Sequence, residues 1–296
     1  MKDFLTVKNL VKKFPINDGK DELTVFKNIN FKVNKGEFVS IIGHSGCGKS
    51  TVLNNLAGLD SPTEGEITML QKPVVGPSLD RGVIFQNHSL MPWLSAYKNI
   101  TMAINCKFKE MSKQEVDERA THFLEMVGLK DAMDKKPSEL SGGMKQRVGI
   151  ARAFSIAPSL LLMDEPFGAL DALTRGKLQD QLIEICDKTQ QTTFMITHDI
   201  DEAILLSDKI LLMSNGPEAR VAKEIIVDIP KPRSRAGIVK HPAYYEIRNY
   251  LVDFLVEGSE TIKQKLISGE ITDEGFPISV DPYKKKVNKA DELKIA

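Results

Sequence analysis

The residues from Gly43 to Thr51, GHSGCGKST, follow the pattern G-x-x-x-x-G-K-[ST], with β-type residues before them and a helical run after them. Small residues let consecutive backbone N–H groups turn toward an anion, here the β- and γ-phosphates of a nucleotide, and the N-terminus of the following helix adds the positive end of its dipole. Lys49 supplies a charge, and the Ser50 hydroxyl is suited to Mg2+. Gly43, His44, Ser45, Gly46, Cys47, Gly48, Lys49, Ser50 and Thr51 are therefore the candidate nucleotide-binding residues. His44 and Cys47 fill positions where backbone geometry matters more than the side chain.

Two further constellations carry chemistry. Leu160 to Glu165, LLLMDE, is an apolar run that stops on two carboxylates, which places both acids at the carboxyl end of a buried strand, where ligands of α/β folds sit. Asp164 is expected to hold Mg2+ through water and Glu165 to polarise an attacking water. Leu140 to Arg147, LSGGMKQR, sets Ser141 and Gly143 at the start of a helix expected from about Met144 to Ala157 and stopped by Pro158. Hydroxyl, bare N–H groups and helix dipole then all face an anion.

The elements that must hold these residues are legible in outline. Phe4 to Val7, Val25 to Val33 and Phe38 to Ile42 are short β-type runs separated by turn residues such as Asn17-Asp18-Gly19, a small β layer leading into a central strand. Thr51 to Ala57 is helical and is closed by Gly58; Glu66 to Leu70 and Gly82 to Phe85 are again strand-like. From Asn99 to Ala157 the pattern is helical, with a capping-box spacing at Ser112 and Glu115 and a stop at Gly128. Leu160 to Met163, Thr192 to Ile196 and Lys209 to Met213 suit buried parallel strands. Strand, glycine loop and helix in succession mark an α/β fold.

Composition removes several classes of function. Lysine plus arginine equals aspartate plus glutamate at 40 each, so there is no basic field to draw a phosphate backbone, and nucleic acid is not expected as a partner. No apolar stretch approaches the roughly 20 residues needed to cross a bilayer, and the first ten residues lack a signal-peptide core, so a cytoplasmic location is expected. Cys47, Cys106 and Cys186 have no metal-ligand spacing and fit reduced thiols.

LSGGMKQR resembles the signature sequence of ABC ATPases, and further motifs of that family follow in order over residues 1 to about 215. The resemblance implies a P-loop NTPase with a RecA-like core, an N-terminal antiparallel β subdomain and a helical signature subdomain. It implies that Ser141, Gly142, Gly143 and Gln146 face ATP bound to a second ATPase chain, identical or related. It makes Gln86 a ligand-sensing residue for Mg2+ and the γ-phosphate, Asp171 a residue that crosses the dimer interface, His198 a switch residue that orders Glu165 and the water, and Phe14 the aromatic that stacks on adenine. ATP is then the substrate, with Mg2+.

GLDSPTEGEI, FQNHSLMPW, DEPFGALDALTRGKLQ and THDIDEAILLSDKILLMSNGPEA are similar to the branch of importers for nitrate, cyanate, bicarbonate, sulfonate and taurine, and NGPEA, PRSR and HPAYY to its nitrate members. Nitrate or nitrite is the expected anion, with cyanate, bicarbonate or sulfonate and taurine as alternatives, and a soluble non-transport ABC protein as the alternative from a different class. The resemblance implies transmembrane permease subunits as partners, an anion-binding protein reached indirectly, and a peripheral place on the cytoplasmic face of the cell membrane. Asn87 to Leu94 corresponds to the surface that receives the permease; Trp93 either docks there or packs inside the helical subdomain. The expected organisation is an ATPase domain over 1–228 with a helical subdomain at about 87–158, a proline-rich linker and docking helix over 229–257, and a charged tail over 258–296.

Overall fold

In a computed structural model of the 296-residue chain, the structure describes residues 3–258, 264 and 275–284. In chain order the elements are β1 (Leu5–Ile16), β2 (Asp21–Val33), β3 (Phe38–Ile42), α1 (Lys49–Ala57), β4 (Glu64–Met69), β5 (Lys72–Pro73), β6 (Arg81–Ile84), α2 (Ala96–Lys107) and α3 (Lys113–Met126). There follow α4 (Gly142–Ser155), β7 (Leu160–Asp164), α5 (Ala172–Thr189), β8 (Thr192–Ile196), α6 (Ile200–Leu206), β9 (Lys209–Met213), β10 (Val221–Ile226), α7 (Arg235–Ile238), α8 (Pro242–Asp253) and β11 (Ile278–Val280). They form two compact units, Met1–Gly76 with Phe194–Ala296, and Pro77–Thr193.

The first unit contains an antiparallel sheet in the order β2-β1-β4-β5 and the strands β11-β10-β9-β3-β8 of a second, mixed sheet. β1 and β2 are longer than their apolar runs suggest because the turn between them, where Asn17, Asp18 and Gly19 all have positive φ, lets pairing continue through polar residues to Ile16↔Asp21. β3 lies parallel to β9 from Val39↔Lys209 to Ile42↔Leu212. β3 and β9 are buried at every residue, which is why they read as mainly apolar runs, interrupted only by Ser40 and Lys209, rather than as alternation. Phe26, Phe31 and Phe194 are among the largest fully buried side chains, and the rings of Phe31 and Phe194 stack at 5.5 Å.

The segment expected to be a linker is packed. Arg233 is 8% exposed and donates from Nε to the carbonyl of Ile229 (2.9 Å) and from Nη2 to that of Val227 (3.0 Å), with Nη1 on the carbonyl of Ser207. Prolines at 230 and 232 cannot extend a ladder, and the guanidinium supplies the donors that nearby carbonyls need. After it, α8 buries Tyr244, Ile247 and Leu251, followed by buried Phe254, and packs on α6. Most of the charged tail expected from about Gly258 lies outside the described residues. Within them, β11 pairs parallel with β10, Lys223↔Ile278 to Ile225↔Val280, neither strand having been read from the sequence.

In the second unit β6 and β7 are parallel, from Arg81↔Leu160 to Ile84↔Met163, and α2, α3 and α4 pack on one another. The capping box at Ser112 forms in both directions, and Gly128 follows α3 at φ +66°. α4 starts at Gly142 and ends at Ser155, two residues earlier at each end than its apolar pattern indicates, because Ser141 caps it directly.

Candidate nucleotide-binding and catalytic residues

In the first unit the loop between β3 and α1 turns on glycines for identifiable reasons. A Cβ on Gly43 would lie 2.8 Å from the carbonyl oxygen of Met213, and Gly48, at φ +100°, would put one 2.7 Å from Val25. Only glycine meets both the close approach and the left-handed backbone. Gly48 brings no side chain to the start of α1, so the first N–H groups of that helix face outward for an anion. Lys49 is buried; its Nζ donates to the carbonyls of Gly43 and His44, 2.8 Å each, and so holds the loop closed over its own charge. His44, Ser45, Gly46 and Ser50 are exposed along the rim and Thr51 is half-buried. Cys47 is buried with its sulfur 3.8 Å from the lysine nitrogen; burial pushes the thiol up against the pull of Lys49, so it stays protonated and unreactive.

His198 belongs to the same unit and is exposed just after β8. Its turn is fixed on both sides: the Asp199 N–H donates to Thr197 Oγ1 (3.0 Å), the Thr197 hydroxyl donates to Glu202, and the Glu202 N–H returns to Asp199 Oδ1 (3.0 Å). Phe14 on β1 is 39% exposed, and Lys12 Nζ lies 4.8 Å from the centre of its ring. That lysine is in turn paired with Asp60 at 2.6 Å, so the ring is held by a fixed cation on one face.

In the second unit Asp164 ends β7, half-buried, and Glu165 begins the turn that follows with φ +47°. A left-handed glutamate is a strained conformation of the kind that marks functional turns. Gln86 Nε2 donates to Glu165 Oε2 at 3.2 Å, so these two candidate residues are in contact. Ser141 caps α4 by accepting from the Met144 N–H at 3.3 Å. A side chain at Gly142 would meet no atom within 4 Å, whereas Gly143 packs against Leu170, 3.2 Å from where its Cβ would be. Asp171 caps α5, accepting from Leu173 (3.1 Å) and Thr174 (3.0 Å); those hydrogen bonds hold its carboxyl below the usual range. Gln146, expected to face a second chain's ATP beside Ser141, is instead buried, its amide turned inward to the carbonyl of Pro166 at 2.8 Å. Trp93 is 68% exposed, which removes the packed alternative for it.

Among the described residues no cluster of His, Cys, Asp or Glu could hold a metal ion by itself. Mg2+ bound with a nucleotide needs only one or two protein oxygens beside phosphates and water, and the Ser50 hydroxyl, the Gln86 amide and the Asp164 carboxylate are of that chemistry. His88 and Arg152 were not singled out by the sequence reading. The guanidinium of Arg152 donates to the carbonyl of Ser89 at 2.7 Å, and a basic residue inside the otherwise apolar GIARAF run of α4 was the signal available.

A family model described as "ABC transporter" matches residues 26–168. The bicarbonate transport ATP-binding protein CmpC of Synechocystis sp. is 52% identical over 252 residues, 85% of this chain and 38% of that protein. The nitrate transport protein NasD of Klebsiella oxytoca is 46% identical over 258 residues, 87% of this chain and 98% of that protein. The chain thus spans well under half the length of CmpC and nearly all of NasD. Among solved structures, a dimeric post-hydrolysis state of the ATP-binding cassette MJ0796 bound to ADP and Pi has a TM-score of 0.70 at 33% identity, covering 76% of this chain and 100% of that one.

Proposed function

We propose that this chain, which belongs to the ABC transporter family, is the ATP-hydrolysing subunit of an importer for a small inorganic anion. Its α/β P-loop fold is that of the ATP-binding cassettes it resembles. The observation that carries the reading is the presence in one chain of two anion-facing helix starts, α1 behind the glycine loop at Lys49 and α4 behind Ser141, together with a carboxylate in a strained turn at Glu165.

In this reading Gly43 to Thr51 bind the phosphates of ATP, with Phe14 against the adenine. Ser50, Gln86 and Asp164 serve the Mg2+ that accompanies ATP and neutralises its phosphates. Glu165 takes the proton of the attacking water, Gln86 and His198 orient it, and Ser141, Gly142 and Gly143 close on ATP held by a second ATPase chain, with Asp171 at the interface between the two. Hydrolysis drives dimer opening, and permease subunits that meet the surface around Trp93 convert it into transport. No helix among the described residues is long and apolar enough to cross a membrane, which suits a subunit that acts through such partners from the cytoplasmic face.

The anion is nitrate in the reading we favour, as in the name of NasD, a relative this chain covers to 98%. Bicarbonate is the second reading, favoured by the 52% identity to CmpC. Deleting the gene in its own host separates them: nitrate transport predicts loss of growth on nitrate as sole nitrogen source with normal growth at low inorganic carbon. The reverse pattern establishes bicarbonate, and normal growth in both conditions contradicts anion import of either kind.

A further inference from the structure

α4 does more than present Ser141 and Gly143. Within the second unit its buried face reaches both the loop that carries Gln86 and the turn that carries Glu165. Gln146 is 1% exposed, and both ends of its amide are used: Nε2 donates to the carbonyl of Pro166 at 2.8 Å, and Oε1 meets Nδ1 of His88 in a short hydrogen bond. Because the amide nitrogen already donates to Pro166, the oxygen is the acceptor toward His88, and the imidazole must carry its proton on Nδ1. Six residues further along the helix, Arg152 donates to the carbonyls of Ser89 (2.7 Å) and His88 (3.5 Å). A Cβ on Gly149, between them, would lie 3.4 Å from the His88 carbonyl, so helix and loop backbone are in close approach.

His88 and Ser89 have φ of +62° and +45°, and Glu165 +47°. Such a conformation is unfavourable for a residue with a side chain and persists only where its surroundings over-determine it. The contacts close a ring: Gln86 to Glu165 by a 3.2 Å hydrogen bond, one residue along the chain to Pro166, then to Gln146, to His88, and back along the chain to Gln86.

We propose that Gln146 and His88 are a positioning pair which, through α4, holds Gln86 and Glu165 in register and sets the rate of ATP hydrolysis without contacting the nucleotide. The same helix begins at the residues that face the second chain's ATP, so the pair is also the route by which that contact reaches this chain's own Glu165. The proposal rests on the ATPase reading above.

The test uses the full chain and four variants. Gln146→Met keeps the volume and removes both polar ends. His88→Asn keeps a donor at the δ position and His88→Asp replaces it with an acceptor; both side chains tolerate the left-handed backbone. The double variant combines Gln146→Met with His88→Asp. Gln146→Met and His88→Asp are expected to lower kcat about tenfold with KM for ATP changed less than about twofold, His88→Asn to keep kcat within about threefold of wild type, and the double variant to be no slower than about threefold below the worse single one. Hydrogen–deuterium exchange of the nucleotide-free chain is expected to speed up at 86–89 and 165–168 together in Gln146→Met. Should that variant not fold, the Asn and Asp variants of His88 carry the comparison by the same two measurements. Wild-type kcat and wild-type exchange in the loss variants, or effects that simply multiply in the double variant, overturn the proposal. A wild-type chain that folds but hydrolyses nothing overturns the ATPase reading instead, and the exchange measurement still decides the positioning pair.

Discussion

A lysine buried to 5% exposure and bonded to its own loop's carbonyls and to the Cys47 sulfur is preorganised for a guest that outcompetes them, and the polyphosphate of ATP is such a guest. The loop's shape at Gly48 matters as much as the charge. Gly48→Ala combines a positive φ with a 2.7 Å approach to Val25, and we expect it to lower stability by about 1–3 kcal/mol and to weaken ATP binding at least tenfold, read by urea unfolding and by fluorescent-nucleotide titration. At this scale the sequence was most informative where a residue type has one mechanical use. Lys49, Asp164 and Glu165 were found from spacing and from an apolar run ending on acids. The left-handed backbone of Glu165, His88 and Ser89 was not, because none of them is a glycine, and the reason lies in contacts with α4 that spacing cannot show.

Between residues and the whole chain, the elements most easily read were those set by local pattern: the capping box of α3, the glycine stops, and the fully buried strands β3, β8 and β9. β11 escaped because its edge is defined by pairing with the distant β10, β10 because its polar residues Lys223 and Glu224 interrupt any apolar run, and the proline-rich segment read as a linker because its donors come from a side chain, Arg233. Arg233→Met leaves several carbonyls without that donor, and we expect a loss of about 2–4 kcal/mol by urea unfolding, with ATP binding by the remaining folded chain unchanged. α8 offers a pH test. The Tyr244 hydroxyl donates to Asp201 Oδ1 at 2.7 Å, where Arg248 Nε also donates at 3.1 Å. Burial first, and then Asp201, push the phenol up to about 12. The unfolded value is about 10, so the neutral phenol is favoured by folding: the stabilisation is complete below pH ~10 and is lost as pH rises through about 12. Across that interval wild type should lose more stability than Tyr244→Phe; parallel losses would contradict the pairing.

For the whole molecule the proposed function means that a single chain holds every part of the reaction but not in one place: in that reading the residues from Ser141 to Gly143 serve ATP on another chain. A chain of balanced charge with an exposed Trp93 suits stable association through packed surfaces rather than electrostatic capture. The most direct test is the mass of Glu165→Gln in Mg-ATP by size exclusion with light scattering. The amide cannot accept the proton of the attacking water, so ATP persists and the closed state accumulates. The account predicts a stable species of twice the 33.0 kDa chain mass that forms with ATP and is absent with ADP, and hydrolysis reduced at least a hundredfold, about 3 kcal/mol in the barrier. A variant that stays at 33.0 kDa in ATP and hydrolyses at the wild-type rate would contradict it.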